Sequence, residues 1–167
     1  MKIKIPIFFI LSTFLFAGDR GYIVEVGDMA PDFKMEFTDG QKTKLSELRG
    51  QIVILQFTAS WCSVCRLEMP HLEKDVWQKY KDQNVLLIGV DRDEPLETVI
   101  AFQKKIGTTY PLALDPGANI FGLFANKDAG VTRNVVIDKT GKIVFLTRLF
   151  EEKEYQEMLS VLKKLTI

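Results

Sequence analysis

Two hydrophobic patterns run along this chain and mark out its elements. Ile52 to Phe57 is a near-continuous apolar run ending at Thr58, as expected for a central strand covered on both faces. Val85 to Val90 repeats that pattern and ends in Asp91. A helix is expected between them, from near Cys62 to about Tyr80, bent at Pro70 because proline removes one hydrogen bond. Residues 33–45 read as two short strands around Asp39-Gly40, a favoured hairpin dipeptide. Ser46 to Gly50 reads as a single capped turn ended by glycine. Pro95 to Ile106 is a helix with proline in its first turn and Gly107 as its stop.

Tyr110 to Leu114 is a short strand broken by Asp115-Pro116-Gly117, and a short helix follows around Ala118–Phe124. Val131 to Asp138 and Lys142 to Leu149 are strands joined by Lys139-Thr140-Gly141. A last helix runs from about Glu151 to Leu165 and gathers Tyr155, Met158, Leu159 and Leu162 on one face. Strands alternating with helices, then a hairpin and a helix, imply an α/β fold: a mixed sheet with helices on both faces and right-handed crossovers.

The N-terminus departs from these patterns. Lys2 and Lys4 precede an apolar stretch from Ile5 to Phe16, interrupted only by Ser12 and Thr13, with Ala17 and Gly18 after it. That is the form of a secretory signal over residues 1–18, too short to span a bilayer comfortably. Leu15 stands where a small residue is usual before cleavage, so an uncleaved anchor is the alternative. The domain proper is placed at 22–167, and the location is periplasmic or otherwise exported. The full chain of 167 residues is large enough for one domain with a substantial core. Its 22 basic and 22 acidic residues balance, and no basic stripe suggests a nucleic-acid surface.

The candidate chemistry lies in Trp61-Cys62-Ser63-Val64-Cys65, which holds the only two cysteines of the chain. In an oxidising compartment two cysteines can form a staple. A bridge across two residues closes a tiny loop and constrains the unfolded chain little, so a reactive pair is the better reading. The pair sits at the C-terminal end of a central strand and the start of a helix, where open α/β sheets place their sites. A helix N-terminus and a neighbouring thiol both lower the pKa of a cysteine from its free value of about 8.5. Cys62, in the first turn, takes the attacking role, and the deeper Cys65 resolves the mixed disulfide. Trp61 is either an apolar shelf beside Cys62 or a core residue.

These residues carry a family resemblance. Ala30-Pro31-Asp32-Phe33, the apolar strand, Trp61-Cys62-Ser63-Val64-Cys65-Arg66, Glu68 and Pro70 resemble the exported TlpA/ResA-type branch of the thioredoxin superfamily. Val90-Asp91 and Val136-Ile137-Asp138-Lys139-Thr140-Gly141 fit the same pattern, and the likeness covers about residues 25–165. It implies a thioredoxin fold with a central mixed sheet flanked by helices, an N-terminal β-hairpin and a central insertion. It also implies thiol–disulfide exchange at the membrane, most often reducing, with protein disulfide substrates, apocytochrome c among them, and a membrane electron donor. No cofactor beyond the cysteine pair is implied. Glu68 matches an acidic residue that such proteins keep near the dithiol for proton transfer. A buried carboxyl there would have a raised pKa, whereas the plain alternative is a solvated helix residue.

One position departs from the family. Thr132 stands where a cis-proline is expected to face the dithiol, and without proline a cis bond costs about 3–4 kcal/mol, so a trans Val131–Thr132 bond is expected. Thr132 is kept with Trp61, Ser63 and Val64 as flanking the site. Arg133 reads as a solvated strand residue, the alternative being that it reaches the dithiol face and favours thiolates or acidic substrates, and Asp91 and Asp93 read as cap or turn residues rather than metal ligands. His71, the only histidine, follows Pro70 and points away from Cys62. Zinc needs about four ligands, which one CxxC and one histidine do not supply. Two other functions remain open. A thiol peroxidase of the peroxiredoxin type also begins with Ala-Pro-Asp-Phe, but Leu55 and Ala59 replace its proline and threonine. A non-enzymatic client-binding module of thioredoxin fold is the third.

Overall fold

The computed structural model describes residues 20–167, so the expected signal or anchor over residues 1–18 lies outside the described residues. Among the described residues no helix is long and apolar enough to cross a membrane. The chain builds one seven-stranded mixed sheet in the order β2-β1-β5-β4-β3-β6-β7. Its strands are β1 Lys34–Phe37, β2 Lys42–Lys44, β3 Ile52–Thr58, β4 Val85–Arg92, β5 Leu112–Asp115, β6 Arg133–Ile137 and β7 Ile143–Arg148.

At the centre, β3 runs parallel to β4 and antiparallel to β6. All of its residues are buried, and successive side chains face opposite layers as a strand requires. Val53, Leu55 and Phe57 enter one layer with Ile88, Val90 and Val135. Ile52 and Ile54 enter the other with Leu87 and Val136. This two-sided burial is why the segment reads as an unbroken apolar run.

The layers are covered unequally, with the three longer α-helices on one face where helices on both were expected. Two crossovers, β3 to β4 and β4 to β5, step across the sheet in the same direction, and their common right-handedness puts both helices on one face. Those helices are α1 Ser63–Leu72 and α3 Leu96–Ile106; α4 Glu152–Leu165 joins them. Met69, Leu72, Val99, Phe102, Tyr155, Met158 and Leu162 fill that layer. The opposite layer is roofed by 3₁₀ turns at Leu45–Leu48 and Phe121–Leu123, and by Tyr22, Val24, Ala30 and Phe33 of the N-terminal segment. Phe57 meets Phe121 there edge to face, with ring centroids 5.4 Å apart.

The hairpin forms as expected, with Lys34 opposite Lys44 and Gly40 at φ 84° in its turn. It joins the sheet through β5. The helix expected from Cys62 to Tyr80 is continuous but irregular. After α1 the chain makes a π turn over Glu73–Trp77 and ends in the single turn α2, Gln78–Tyr80. The disturbance expected at Pro70 is thus absorbed one turn later, where Glu73 N–H donates to the carbonyls of both Met69 and Pro70. β5 begins two residues later than expected, because Pro111 has no N–H for the ladder and only its carbonyl takes part, accepting from Gly89 N–H at 3.0 Å.

Gly89 marks the tightest point of the sheet, where a Cβ would run into Leu112 Cδ2 and lie 3.3 Å from Tyr110. Gly89→Ala is expected to destabilise the protein by about 1–3 kcal/mol, measured by urea unfolding, because the buried Leu112 has little room to retreat.

Candidate active site

The sheet brings three segments together around the cysteines: the C-terminal end of β3, the start of α1 and the approach to β6. Cys62 is the N-cap of α1, with extended backbone at φ −81° and ψ 112°. Its Sγ accepts from Cys65 N–H at 3.1 Å, and its own N–H donates to the Ala59 carbonyl at 3.1 Å. The sulfur therefore occupies the position where helix N–H groups lack intrahelical partners and favour negative charge. Cys62 and Cys65 are joined as a disulfide with Cα atoms 5.3 Å apart. Cys62 retains 7% of its surface and Cys65 none, so a partner's sulfur meets Cys62 first.

Thr132 lies beside both cysteines. Its Oγ1 is 3.1 Å from Cys62 Sγ and 3.0 Å from Cys65 Sγ, and the residue is fully buried. The Val131–Thr132 peptide bond is cis, which corrects the trans bond expected for a residue other than proline. The local preference is overridden by surroundings that fix the residue on both sides: the hydroxyl lies against the sulfurs, and the carbonyl accepts from Leu149 N–H at 3.0 Å. Arg133 also departs from expectation, for it is buried. Its guanidinium lies 4.6 Å from the Tyr22 ring and its Nε donates to the Gly130 carbonyl at 3.0 Å. Tyr22 comes from the N-terminal segment, a long-range contact that the strand's own pattern does not contain.

Of the flanking residues, Trp61 is 60% exposed, which makes it a surface shelf rather than a core residue. Ser63 is exposed, and Val64 is half-buried against the layer that holds both cysteines. His71 packs on the ring of Phe150 at 4.9 Å and near Tyr155, in the α4 region. Leu55 and Ala59 are fully buried and bring no polar side chain to Cys62. Among the described residues no group of three or more His, Cys, Asp or Glu side chains is placed to hold a metal ion.

Glu68 is buried to 1% exposure, not solvated. Its Oε2 accepts from Gln56 Nε2 at 3.1 Å and its Oε1 from Asn134 Nδ2 at 2.7 Å. Burial pushes its pKa up from 4.5 to about 7, and the two amide donors offset only part of that. Behind them Tyr110 OH donates to Gln56 Oε1 at 2.8 Å, and Asn134 Nδ2 also reaches Thr147 Oγ1 at 2.8 Å. The carboxyl thus anchors a polar network across β3, β6, β7 and the segment before β5. Its hydrogen bonds go to those amides and not to a sulfur. Gln56, Asn134, Tyr110 and Thr147 were missed in the sequence reading, although a glutamine inside a run as apolar as Ile52–Phe57 is itself a signal, since a buried amide needs partners.

Asp93 behaves as a turn residue, its Oδ1 accepting from Gly117 N–H at 2.8 Å. Asp91 does not. It is fully buried, and neither of its carboxyl oxygens has a hydrogen-bond partner among the described residues, which corrects its reading as a cap. Strand pairing with both β3 and β5 carries it further into the sheet than a strand-end residue would go.

Comparison with known proteins agrees with this geometry. The family model described as AhpC/TSA family matches residues 26–146. A thiol-disulfide oxidoreductase ResA of Bacillus anthracis is 32% identical over 143 residues, covering 86% of this chain and 80% of its own. The ResA of Halalkalibacterium halodurans is 32% identical over 149 residues, 89% and 82% of the two chains. Among solved structures, a candidate protein disulfide isomerase from Bacteroides thetaiotaomicron superposes with a TM-score of 0.85 at 58% identity, covering 87% of this chain and 92% of its own. A candidate thiol:disulfide interchange protein DsbE from Chlorobium tepidum gives a TM-score of 0.76 at 26% identity, covering 86% and 99%. The thioredoxin fold is thereby shown.

Glu68 takes up a proton on folding at any pH between its ordinary pKa of 4.5 and its raised value of about 7. Stability therefore falls as pH rises through that window and is unaffected by this group outside it. Glu68→Gln is expected to remove about 3 kcal/mol of that decline. Urea unfolding of the oxidised protein at pH 4.5 and pH 7.5 measures it.

Proposed function

Because the chain belongs to the AhpC/TSA family and is a thiol–disulfide oxidoreductase of the ResA kind, we propose that it is exported and reduces disulfides in other proteins through Cys62 and Cys65. The observation that carries the division of labour is the difference in access: Cys62 reaches the surface at a helix N-cap, and Cys65 is fully buried one turn deeper.

The cycle balances as two-electron exchange. In the reduced protein the Cys62 thiolate attacks one sulfur of a substrate disulfide. The substrate S–S bond breaks, a mixed disulfide to Cys62 forms, and the leaving sulfur takes a proton. The Cys65 thiolate then attacks Cys62 Sγ, forming the intramolecular disulfide and releasing the second substrate thiol. Two electrons and two protons have passed to the substrate. Glu68, with a pKa near 7, is matched to supply or accept a proton at the pH of the reaction. Trp61 offers an exposed apolar face beside Cys62 for the incoming chain, Ser63 and Val64 border it, and the Thr132 hydroxyl faces the sulfurs.

Restoring the dithiol requires an external reductant, which we assign to a membrane electron donor. Residues 1–18 are assigned as signal peptide or N-terminal anchor, residues 22–167 as the thioredoxin-like domain, and the periplasm or exterior as its location. The reducing trend implied by the family resemblance supports the direction; apocytochrome c is a client of suitable chemistry. The 58% identical structure carries an isomerase name, and isomerisation uses the same attack by Cys62.

Two measurements test this reading. Cys65→Ser is expected to accumulate a mixed disulfide through Cys62 with a model protein disulfide, while Cys62→Ser forms none; mass spectrometry of the adducts reads both, and the reverse pattern overturns the assignment. The equilibrium potential of the pair against dithiothreitol decides direction. A value near or below about −270 mV fits a reductase, and one near −120 mV reverses the direction of flow.

A further inference from the structure

The mechanism leaves one buried titratable group unused. Asp91 lies at the C-terminal end of β4, opposite Thr58 of β3 and Leu114 of β5. It is fully buried and no donor meets either of its oxygens. The charged groups that face it are Glu94, from the loop after β4, and Asp115, from the end of β5, and both are acidic. Neighbouring cations are engaged elsewhere. Arg92 donates to the carbonyls of Lys127 and Ala129 and lies over the Phe121 ring, and Arg66 donates to the Ser60 carbonyl at 2.7 Å. A buried carboxylate with no donor and no cation is untenable, whereas a carboxylic acid in the same place has a proton to give and a carboxylate to receive it.

That receiver, Glu94, is the anchor of the segment leading to the site. Its two oxygens accept from Ser60 N–H and Ser60 Oγ, both at 2.6 Å. Ser60 stands two residues before Cys62, and between them lies the exposed Trp61.

We propose that Asp91 is a positioning residue for the attacking sulfur: in its acid form it donates to Glu94, and Glu94 clamps Ser60 so that Cys62 is held at the N-terminus of α1. The chain of contacts runs from Asp91 to Glu94, to Ser60 and to Cys62, and Arg66 of α1 closes it on the Ser60 carbonyl. Burial, followed by the charge of Glu94, pushes the Asp91 pKa from 3.8 up to about 8. The clamp is therefore complete below about pH 8. Above it, Asp91 and Glu94 both carry charge and repel, and Glu94 is no longer held against Ser60. The inference rests on the reading of Cys62 as the attacking sulfur.

The test uses the reduced full-length protein and two readouts that need no substrate. Carbon-13 NMR of the Asp91 carboxyl is expected to show it protonated at pH 6 and titrating near 8; a carboxylate that stays ionised down to pH 5 overturns the proposal. The Cys62 thiol pKa is read from its rate of alkylation by iodoacetamide against pH. Asp91→Leu, which has no proton to give, is expected to lower the Cys62 thiolate population at pH 6 about three- to tenfold. Asp91→Asn, whose amide still donates to Glu94 but cannot ionise, is expected to restore it and to keep the clamp above pH 8. A Cys62 pKa that is the same in wild type and Asp91→Leu overturns the clamp, as does Asp91→Asn behaving like Asp91→Leu. Should Asp91→Leu fail to fold, the carboxyl titration and the Asp91→Asn profile decide. Preferential alkylation of Cys65 would count against the assigned roles of the two cysteines, while the carboxyl titration would still report on Asp91 alone.

Discussion

Burial of β3 on both faces is the constraint from which the rest follows. A strand at the centre of a two-layered core can admit a polar side chain only if partners are built around it. Gln56 is such a side chain, and its partners come from three other elements: Glu68 on α1, Tyr110 before β5 and, through Glu68, Asn134 on β6. The same strand ends where α1 begins, so the apolar surface that fixes β3 also fixes the position of the sulfurs. The core and the reactive end of the molecule are parts of one packing problem.

The two layers divide the work. Both cysteines pack into the layer roofed by 3₁₀ turns and the N-terminal segment, together with Phe57, Phe121 and Val131. Glu68 is bonded into the other side, against the helical layer where Tyr110 and Met69 lie. The sulfurs thus sit in surroundings that are apolar except for Thr132 and the backbone amides of α1, which are the groups that stabilise a thiolate. Burial raises the proton affinity of the carboxyl, and the two amide donors around it pull it part of the way back, to about 7. The two environments meet on α1, where Cys65 and Glu68 stand one turn apart.

What could be read from the sequence was whatever depends on near neighbours. The extent of β3, the Asp39-Gly40 hairpin, the stop at Gly107 and the place of the cysteines at a strand–helix junction follow from local pattern and local sterics. Glu68 was visible as a candidate buried carboxyl, but the amides that hold it were not, because Gln56 and Asn134 reach it from two strands far apart in the chain. The errors share one cause. Thr132 in a cis bond, Arg133 under Tyr22 and Asp91 without a donor are settled by contacts with residues far away in the chain, and a window of neighbours cannot contain them. The π turn after Pro70 was half legible: the proline announced a disturbance, and the packing of Leu72 and Val76 decided where it was taken up.

The Thr132 hydroxyl has a consequence of its own. It stands about equally far from the two sulfurs, yet a hydroxyl has a single hydrogen to give. In the disulfide neither sulfur bears charge and the choice is immaterial. Once the bond opens, the hydrogen turns toward whichever sulfur is the stronger acceptor and leaves the other to the helix amides alone. A proline at this position, having no hydroxyl, would treat both sulfurs alike. In the exchange proposed for Cys62 and Cys65, that one hydrogen would follow the negative charge from the first sulfur to the second.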